Sequence, residues 1–147
     1  MDVAWLDDYI DAWLLHPLAG TDDGADALAD LVSLMSPAVR YEDVPSAMVF
    51  VGHDGIREMG AAAHAWSSDL TFRILSRQTN GQLYAFETET VGTNTGAAGA
   101  LPATGRSFVL RGVSVGRASV NGKVEEQRDY WDLGSFLVQV GLLPAPV

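Results

Sequence analysis

The sequence predicts an α+β fold: three N-terminal helices laid on one face of a long, curved, mainly antiparallel sheet. Three observations predict it. Apolar residues recur at helical spacing through the first 66 positions, then switch near residue 70 to a period of two. Asn80-Gly81 and Asn121-Gly122 supply tight hairpin turns within the second half. A run of helices followed by a meander of strands is the order of an α+β fold, and helices packed on a curved sheet enclose a cone with a deep apolar pocket.

The elements follow in order. Residues 2–16 read as a helix with Leu6, Ile10, Trp13 and Leu14 as its apolar stripe, stopped by Pro17 and turning at Ala19-Gly20. Thr21 or Asp22 caps a second helix striped by Leu28, Leu31, Val32 and Met35 and ended near Pro37. Val39–Pro45 is a short strand with Tyr41 and Asp43 on one face, and His53-Asp54-Gly55 opens a third helix that buries Ile56, Met59, Ala63 and Trp66. Strands are expected over Leu70–Gln78, Leu83–Gly92, Phe108–Val115 and Lys123–Asp132, with a Gly-, Ala- and Thr-rich loop over residues 93–104. A short helix from Leu133 through Val140 and an apolar tail containing proline complete the chain.

Composition narrows the function. A chain of 147 residues, 48% hydrophobic, is expected to form one domain, residues 1–147, around a real core. Its net charge of −10 argues against nucleic acid or an anionic membrane as partner. It has no cysteine, so disulfides and thiolate metal sites are excluded. The acidic start is unlike a signal peptide, and no apolar run reaches transmembrane length, so a soluble cytoplasmic protein is expected. The three histidines, His16, His53 and His64, have no ligand spacing between them, and surface or helix-start roles are expected for them. The Gly-rich loop lacks the lysine and following helix of a phosphate cradle. Neither a metal nor a cofactor is expected.

The stretch richest in chemistry is Glu125–Leu133, which reads EEQRDYWDL. Alternation along a strand puts Gln127, Asp129 and Trp131 on one face and Arg128, Tyr130 and Asp132 on the other. An aspartate beside Trp131 on a core-facing side is a candidate for proton transfer. Its bland alternative is a surface or salt-bridge role beside Arg128 and Lys123. Asp132 reads as the cap of the last helix. Leu83, Ala85, Glu87, Glu89 and Val91 share a face of the second long strand, and the apolar members suggest that this face is buried. An exposed strand face is the alternative.

The motif Arg128-Asp-Tyr-Trp-Asp-Leu133 resembles the closing strand of the limonene-1,2-epoxide hydrolases. Tyr41-Glu-Asp-Val-Pro45, Gly52-His-Asp-Gly-Ile56, Asn80-Gly81 with Tyr84, and Leu101–Ser107 resemble further pieces of that family in the same order. The likeness spans roughly residues 40 to 140, with an insertion near 93–100, and places the chain near the NTF2-like superfamily that includes SnoaL-like polyketide cyclases and ketosteroid isomerases. It implies a hydrolase that opens the epoxide of a small hydrophobic substrate to a diol, with no metal and no covalent intermediate. Position by position, Asp129 falls on the base, Tyr41 on the water-holding tyrosine and Asp43 on its asparagine. Glu89 falls on the acid, and Glu87 replaces the bridging arginine. The four carboxylates are thus expected to cluster in the cavity, where like charge and burial would keep at least one protonated. Trp131, Leu110, Phe108, Val91, Phe136, Ala63 and Trp66 are the expected substrate-binding residues. The alternatives are a cyclase or isomerase acting on a polyketide or terpenoid, and a binding protein without catalysis. A homodimer formed through the outer sheet face, with Arg111, Arg128 and Tyr130, is also expected.

Overall fold

A computed structural model describes residues 4–18 and 22–147. Its elements are α1 (Ala4–Leu15), a 3₁₀ turn over His16–Leu18, α2 (Asp22–Ser33), β1 (Met35–Asp43), β2 (Met48–Val51), α3 (Gly52–Trp66), β3 (Thr71–Asn80), β4 (Leu83–Thr93), β5 (Ser107–Ala118), β6 (Val124–Trp131) and α4 (Leu133–Gln139). The turn at Ala19-Gly20 and a cap at Thr21 lie outside the described residues, and Asp22 is the first residue of α2.

The six strands form one mixed sheet in the order β2-β1-β6-β5-β4-β3. All neighbours are antiparallel except β1 and β6, which run parallel with Tyr41 opposite Gln127 and Asp43 opposite Asp129. That pairing brings a strand from the helical half beside the penultimate element of the chain. The Asn80-Gly81 hairpin joins β3 to β4 in a register that shifts between Ile74 and Ser76. Asp132 caps α4, accepting from the Ser135 amide at 2.9 Å.

One expectation about elements is corrected, and one strand has no counterpart among the expected elements. Met35 does not end the second helix; α2 stops at Ser33 and Met35 begins β1, buried as a strand residue. Residues 48–51 form a strand that pairs with β1, although the turn before it contains neither Gly nor Asn. Ala47 takes the left-handed conformation there, with φ of 58°.

The inner face of the sheet carries two apolar clusters. In the first, Leu6, Ile10 and Trp13 of α1 and Leu31 of α2 pack on Val39, Ile56, Tyr84 and Phe86. In the second, Leu70, Phe108 and Leu110 pack on Phe136 and Val140. Full burial of each large side chain is worth about 1.5–3 kcal/mol, so the clusters fix α1 and α4 on the sheet. The space between them is only partly filled.

Candidate active site

That space is a cavity of about 660 Å³, a size suited to a small organic molecule. Trp13, Tyr41 and Met59 reach it from the first cluster, and Leu70, Leu110 and Phe136 from the second. Its mouth is bordered by residues 97–101, where Ala97, Ala98, Gly99 and Ala100 present little more than methyl groups. This loop is tied to the end of α3 by the Gly96 amide, which donates to the Trp66 carbonyl at 3.1 Å. An added Cβ at Gly96 would lie 1.7 Å from the Ala65 carbonyl oxygen.

Asp129 and Asp43 stand side by side on the floor of the cavity, as neighbours on parallel strands. Asp129 is bonded by neutral donors alone. Ser114 Oγ donates to Oδ1 at 2.6 Å, Gln127 Nε2 donates to the same oxygen at 2.8 Å, and the Tyr41 hydroxyl donates to Oδ2. Burial drives the Asp129 carboxyl up to about 6; the bonds from Ser114, Tyr41 and Gln127 oppose that rise, and the nearby Asp43 charge adds to it. Asp43 accepts from Trp131 Nε1 at 2.6 Å and from Ser46 Oγ.

Behind Asp129 lies a network of fully buried polar groups. Trp13 Nε1 donates to the Tyr41 hydroxyl at 2.8 Å, and Gln127 Nε2 donates to it at 3.0 Å. Tyr9 and Tyr84 donate to Gln127 Oε1 at 2.7 and 2.8 Å. With four partners, the Gln127 amide has one orientation that satisfies them all. Burial is the leading cause that raises Tyr9, Tyr41 and Tyr84 well above the usual phenol range, so all three keep their protons and act as donors. Gly116 makes room for this network, since an added Cβ there would come within 2.3 Å of the Tyr84 hydroxyl. On β5 the inward positions Gly112, Ser114 and Gly116 are all small, and Trp131 and Tyr84 occupy the space so left.

The structure brings together three of the five expected catalytic residues: Asp129, Tyr41 and Asp43. It separates the other two. Glu87 and Glu89 lie on the outer face of β4, while Tyr84, Phe86, Thr88 and Thr90 face inward. Glu89 is ion-paired with Arg73 at 2.8 Å and lies 3.6 Å from Arg111. Glu87 borders a shallow depression on the outer face with Arg111, Val113 and Tyr130. The expected four-carboxylate cluster therefore does not form. Val91 shares the outer face, 42% exposed, and is not a cavity residue. Phe108 is buried core, stacked behind Trp66 with ring centroids 5.0 Å apart, rather than in the wall. Trp131, Leu110, Phe136, Ala63 and Trp66 do line the cavity.

His16 is the largest miss. It is not at the surface but 3% exposed, in the cavity wall, stacked on Phe72 at 5.4 Å. Its Nδ1 contacts the Trp13 carbonyl, and burial lowers its pKa to about 4, so the ring is neutral. A proline directly after a histidine gave no signal of burial. His53 contacts the Met35 carbonyl and His64 the Pro17 carbonyl. Among the described residues, no group of three His, Asp or Glu side chains could hold a metal ion.

Residues 7–127 match the family model described as a SnoaL-like domain. No curated protein sequence matches the chain. Among solved structures, TsrD from Streptomyces laurentii superposes with a TM-score of 0.81 at 20% identity, covering 97% of this chain and 99% of that one. An NTF2-like protein from Exiguobacterium sp. 255-15 gives 0.66 at 20% identity, covering 88% and 98%. IdmH from Streptomyces antibioticus, described as a candidate polyketide cyclase, gives 0.70 at 19% identity, covering 92% and 97%. The fold is NTF2-like, with a curled mixed sheet of six strands and four α-helices among the described residues. The matched family span ends at Gln127, two residues before Asp129.

Proposed function

The chain belongs to the SnoaL-like domain family, and on that premise we propose that it is a cyclase or isomerase whose Asp129 takes a proton from a carbon beside a carbonyl and returns it. The observation that carries this reading is the setting of Asp129: a cavity carboxyl held by three neutral donors and poised near 6. Near neutral pH it is largely ionised, yet basic enough to accept a carbon-bound proton. In ring closure, the carbanion forms a carbon–carbon bond with a second carbonyl of the same molecule, and the resulting alkoxide takes the proton back from Asp129. In isomerisation the proton returns to a different carbon. Both sequences leave atoms and charge balanced, and both restore the carboxylate. IdmH is described as a candidate polyketide cyclase, which supports an enolisable polyketone as substrate.

Deuterium incorporation tests this. The protein is incubated with 2-tetralone in D₂O and exchange at the acidic carbon is followed by NMR. Wild-type exchange above the buffer rate, lost in Asp129→Asn, is the expected result. Exchange that survives the substitution in a folded variant would remove Asp129 from its role.

A second reading, epoxide hydrolysis, is favoured by one observation: Tyr41, Asp43 and Asp129 meet at the cavity. Asp129 would then take a proton from water as the oxygen attacks an epoxide carbon. The leaving alkoxide would be protonated from solvent and Asp129 would release its proton in turn, because Glu89, the expected acid, is on the other side of the sheet. Diol formation from cyclohexene oxide or limonene oxide, lost in Asp129→Asn, would favour this chemistry over the first. We also propose that a second copy of the chain covers the outer face, where Val91, Val109, Val113 and Tyr130 are exposed. Val113→Glu should then halve the mass measured by light scattering, and a monomeric wild type would refute the pairing.

A further inference from the structure

The polar groups of the cavity wall are unevenly matched. Most of its N–H and O–H groups already donate within the protein. Tyr41 and Ser114 are committed to Asp129, Trp131 and Ser46 to Asp43, and Trp13 to Tyr41. Thr88 reaches the Gly112 carbonyl at 3.4 Å. Trp66 Nε1 is a buried donor without a partner, set among the rings of Phe108, Trp131 and Phe136. Thr90 adds a hydroxyl to the wall, and acceptors remain open as well. Asp43 and Asp129 bring two carboxylates, and among the described residues no Lys or Arg lines the cavity to balance them. His16 brings a third acceptor. Its Nδ1 is engaged by the Trp13 carbonyl, and a carbonyl can only accept, so the proton sits on Nδ1. The lone pair is then on Nε2, for which no described residue provides a donor. The ring holding it is almost completely buried, yet forms part of the cavity wall.

Building on the reading of this cavity as the substrate site, we propose that it selects a flat, apolar molecule that carries a hydroxyl donor and no free carboxylate, and that His16 Nε2 accepts from that hydroxyl. Phenols and enols of aromatic or polycyclic ketones have this chemistry. The walls supply the complementary flat surfaces in Trp13, Phe72, Trp66 and Trp131. A ligand carboxylate would enter beside two like charges with no cation to receive it, and desolvation would add to that cost. A ligand hydroxyl meets a neutral acceptor in the His16 ring. His16 is thus a specificity residue, separate from the proton-transfer group on the floor.

Calorimetry with three probes of similar shape tests the proposal: 2-naphthol, 2-methylnaphthalene and 2-naphthoate, each titrated into the full chain near neutral pH. The expected order is 2-naphthol about tenfold tighter than 2-methylnaphthalene, the worth of one well-placed hydrogen bond, with 2-naphthoate weakest. In His16→Phe, 2-naphthol should fall to the level of 2-methylnaphthalene, which should itself be unchanged. In Asp43→Asn, the disadvantage of 2-naphthoate should shrink. Circular dichroism melts establish that each variant is folded. If His16→Phe is not, the ¹⁵N resonance of Nε2 in the wild type replaces it and should shift on adding 2-naphthol but not 2-methylnaphthalene. Naphthoate binding as tightly as naphthol overturns the proposal, as does a naphthol preference that survives loss of the imidazole, an unmoved Nε2 resonance, or failure of all three probes to bind. None of these titrations needs turnover. A protein that prefers naphthol but exchanges no deuterium therefore refutes the proton-transfer reading and leaves this one standing.

Discussion

The two faces of this sheet treat a carboxylate in opposite ways. On the concave face, Asp129 is enclosed, bonded only by a serine, a tyrosine and a glutamine amide, and driven up to about 6. On the convex face, Glu89 stands beside two arginines in reach of solvent. Neutral donors orient a carboxylate but return only part of the solvation it loses on burial, so the proton stays close at hand. An arginine in solvent returns a counter-charge and little else, because exposed ion pairs are worth about 0–1 kcal/mol. The same functional group is thus held close to its proton on one side and ion-paired at the surface on the other. The difference is made by what surrounds it.

The strongest way to break this comparison is to remove the concave carboxylate. Asp129→Asn should lower kcat by about 10²–10⁴, the usual contribution of a positioned acid or base, as read by deuterium exchange. In the wild type, kcat/KM should rise with pH to a plateau, with its midpoint near 6. Tyr41→Phe should have the next largest effect. It deletes a donor to Asp129 and an acceptor for Trp13 and Gln127, so stability should fall by about 1–3 kcal/mol in urea denaturation. Because the Tyr41 bond holds the Asp129 carboxyl down, its loss should move the midpoint of the pH–rate profile upward.

A third prediction concerns stability. The folded chain holds the Asp129 proton to about 6, whereas the unfolded chain releases it at the ordinary value of 3.8. Between those values the native state binds more protons, so this group's contribution to stability falls as pH rises and is constant above the window. Asp129→Asn should remove that slope: the variant should gain relative to wild type when urea denaturation at pH near 7 is compared with pH near 4. The smallest effect is expected from Glu89→Gln, which should change stability by less than about 1 kcal/mol and leave exchange within about twofold of wild type. A large loss of activity in Glu89→Gln would mean that the convex face does take part in the chemistry.

Much of this architecture is legible in the sequence because local signals are strong where the chain turns. Asn80-Gly81, Asn121-Gly122 and the Asp132 cap each specify their own geometry. The floor of the site was legible too, since the alternation around Asp129 places it with Gln127 and Trp131. The face of β4 was not. A slip of one residue exchanges the two faces of a strand, and β4 carries aromatic and threonine residues on one face and alternating Leu, Ala, Glu and Val on the other. Both patterns are compatible with burial, and only pairing with β3 and β5 decides between them. The supporting network was hidden for a different reason. Tyr9, Trp13, Tyr41, Tyr84, Ser114 and Gln127 are scattered over more than a hundred positions, and each reads alone as an ordinary core or surface residue. His16 is invisible for the same reason. Its burial is set by Phe72, 56 positions later.

The loop at the mouth has a consequence for how this molecule could diversify. Its backbone is pinned at Gly96, where no side chain fits, yet Ala97, Ala98 and Ala100 line the cavity with side chains of a single methyl group. A change there from alanine to valine or leucine would shorten the space from the far end, one or two carbon atoms at a time, without touching the floor. The far wall of the cavity and the carboxylates on its floor therefore lie on different stretches of chain, and either can drift while the other is held.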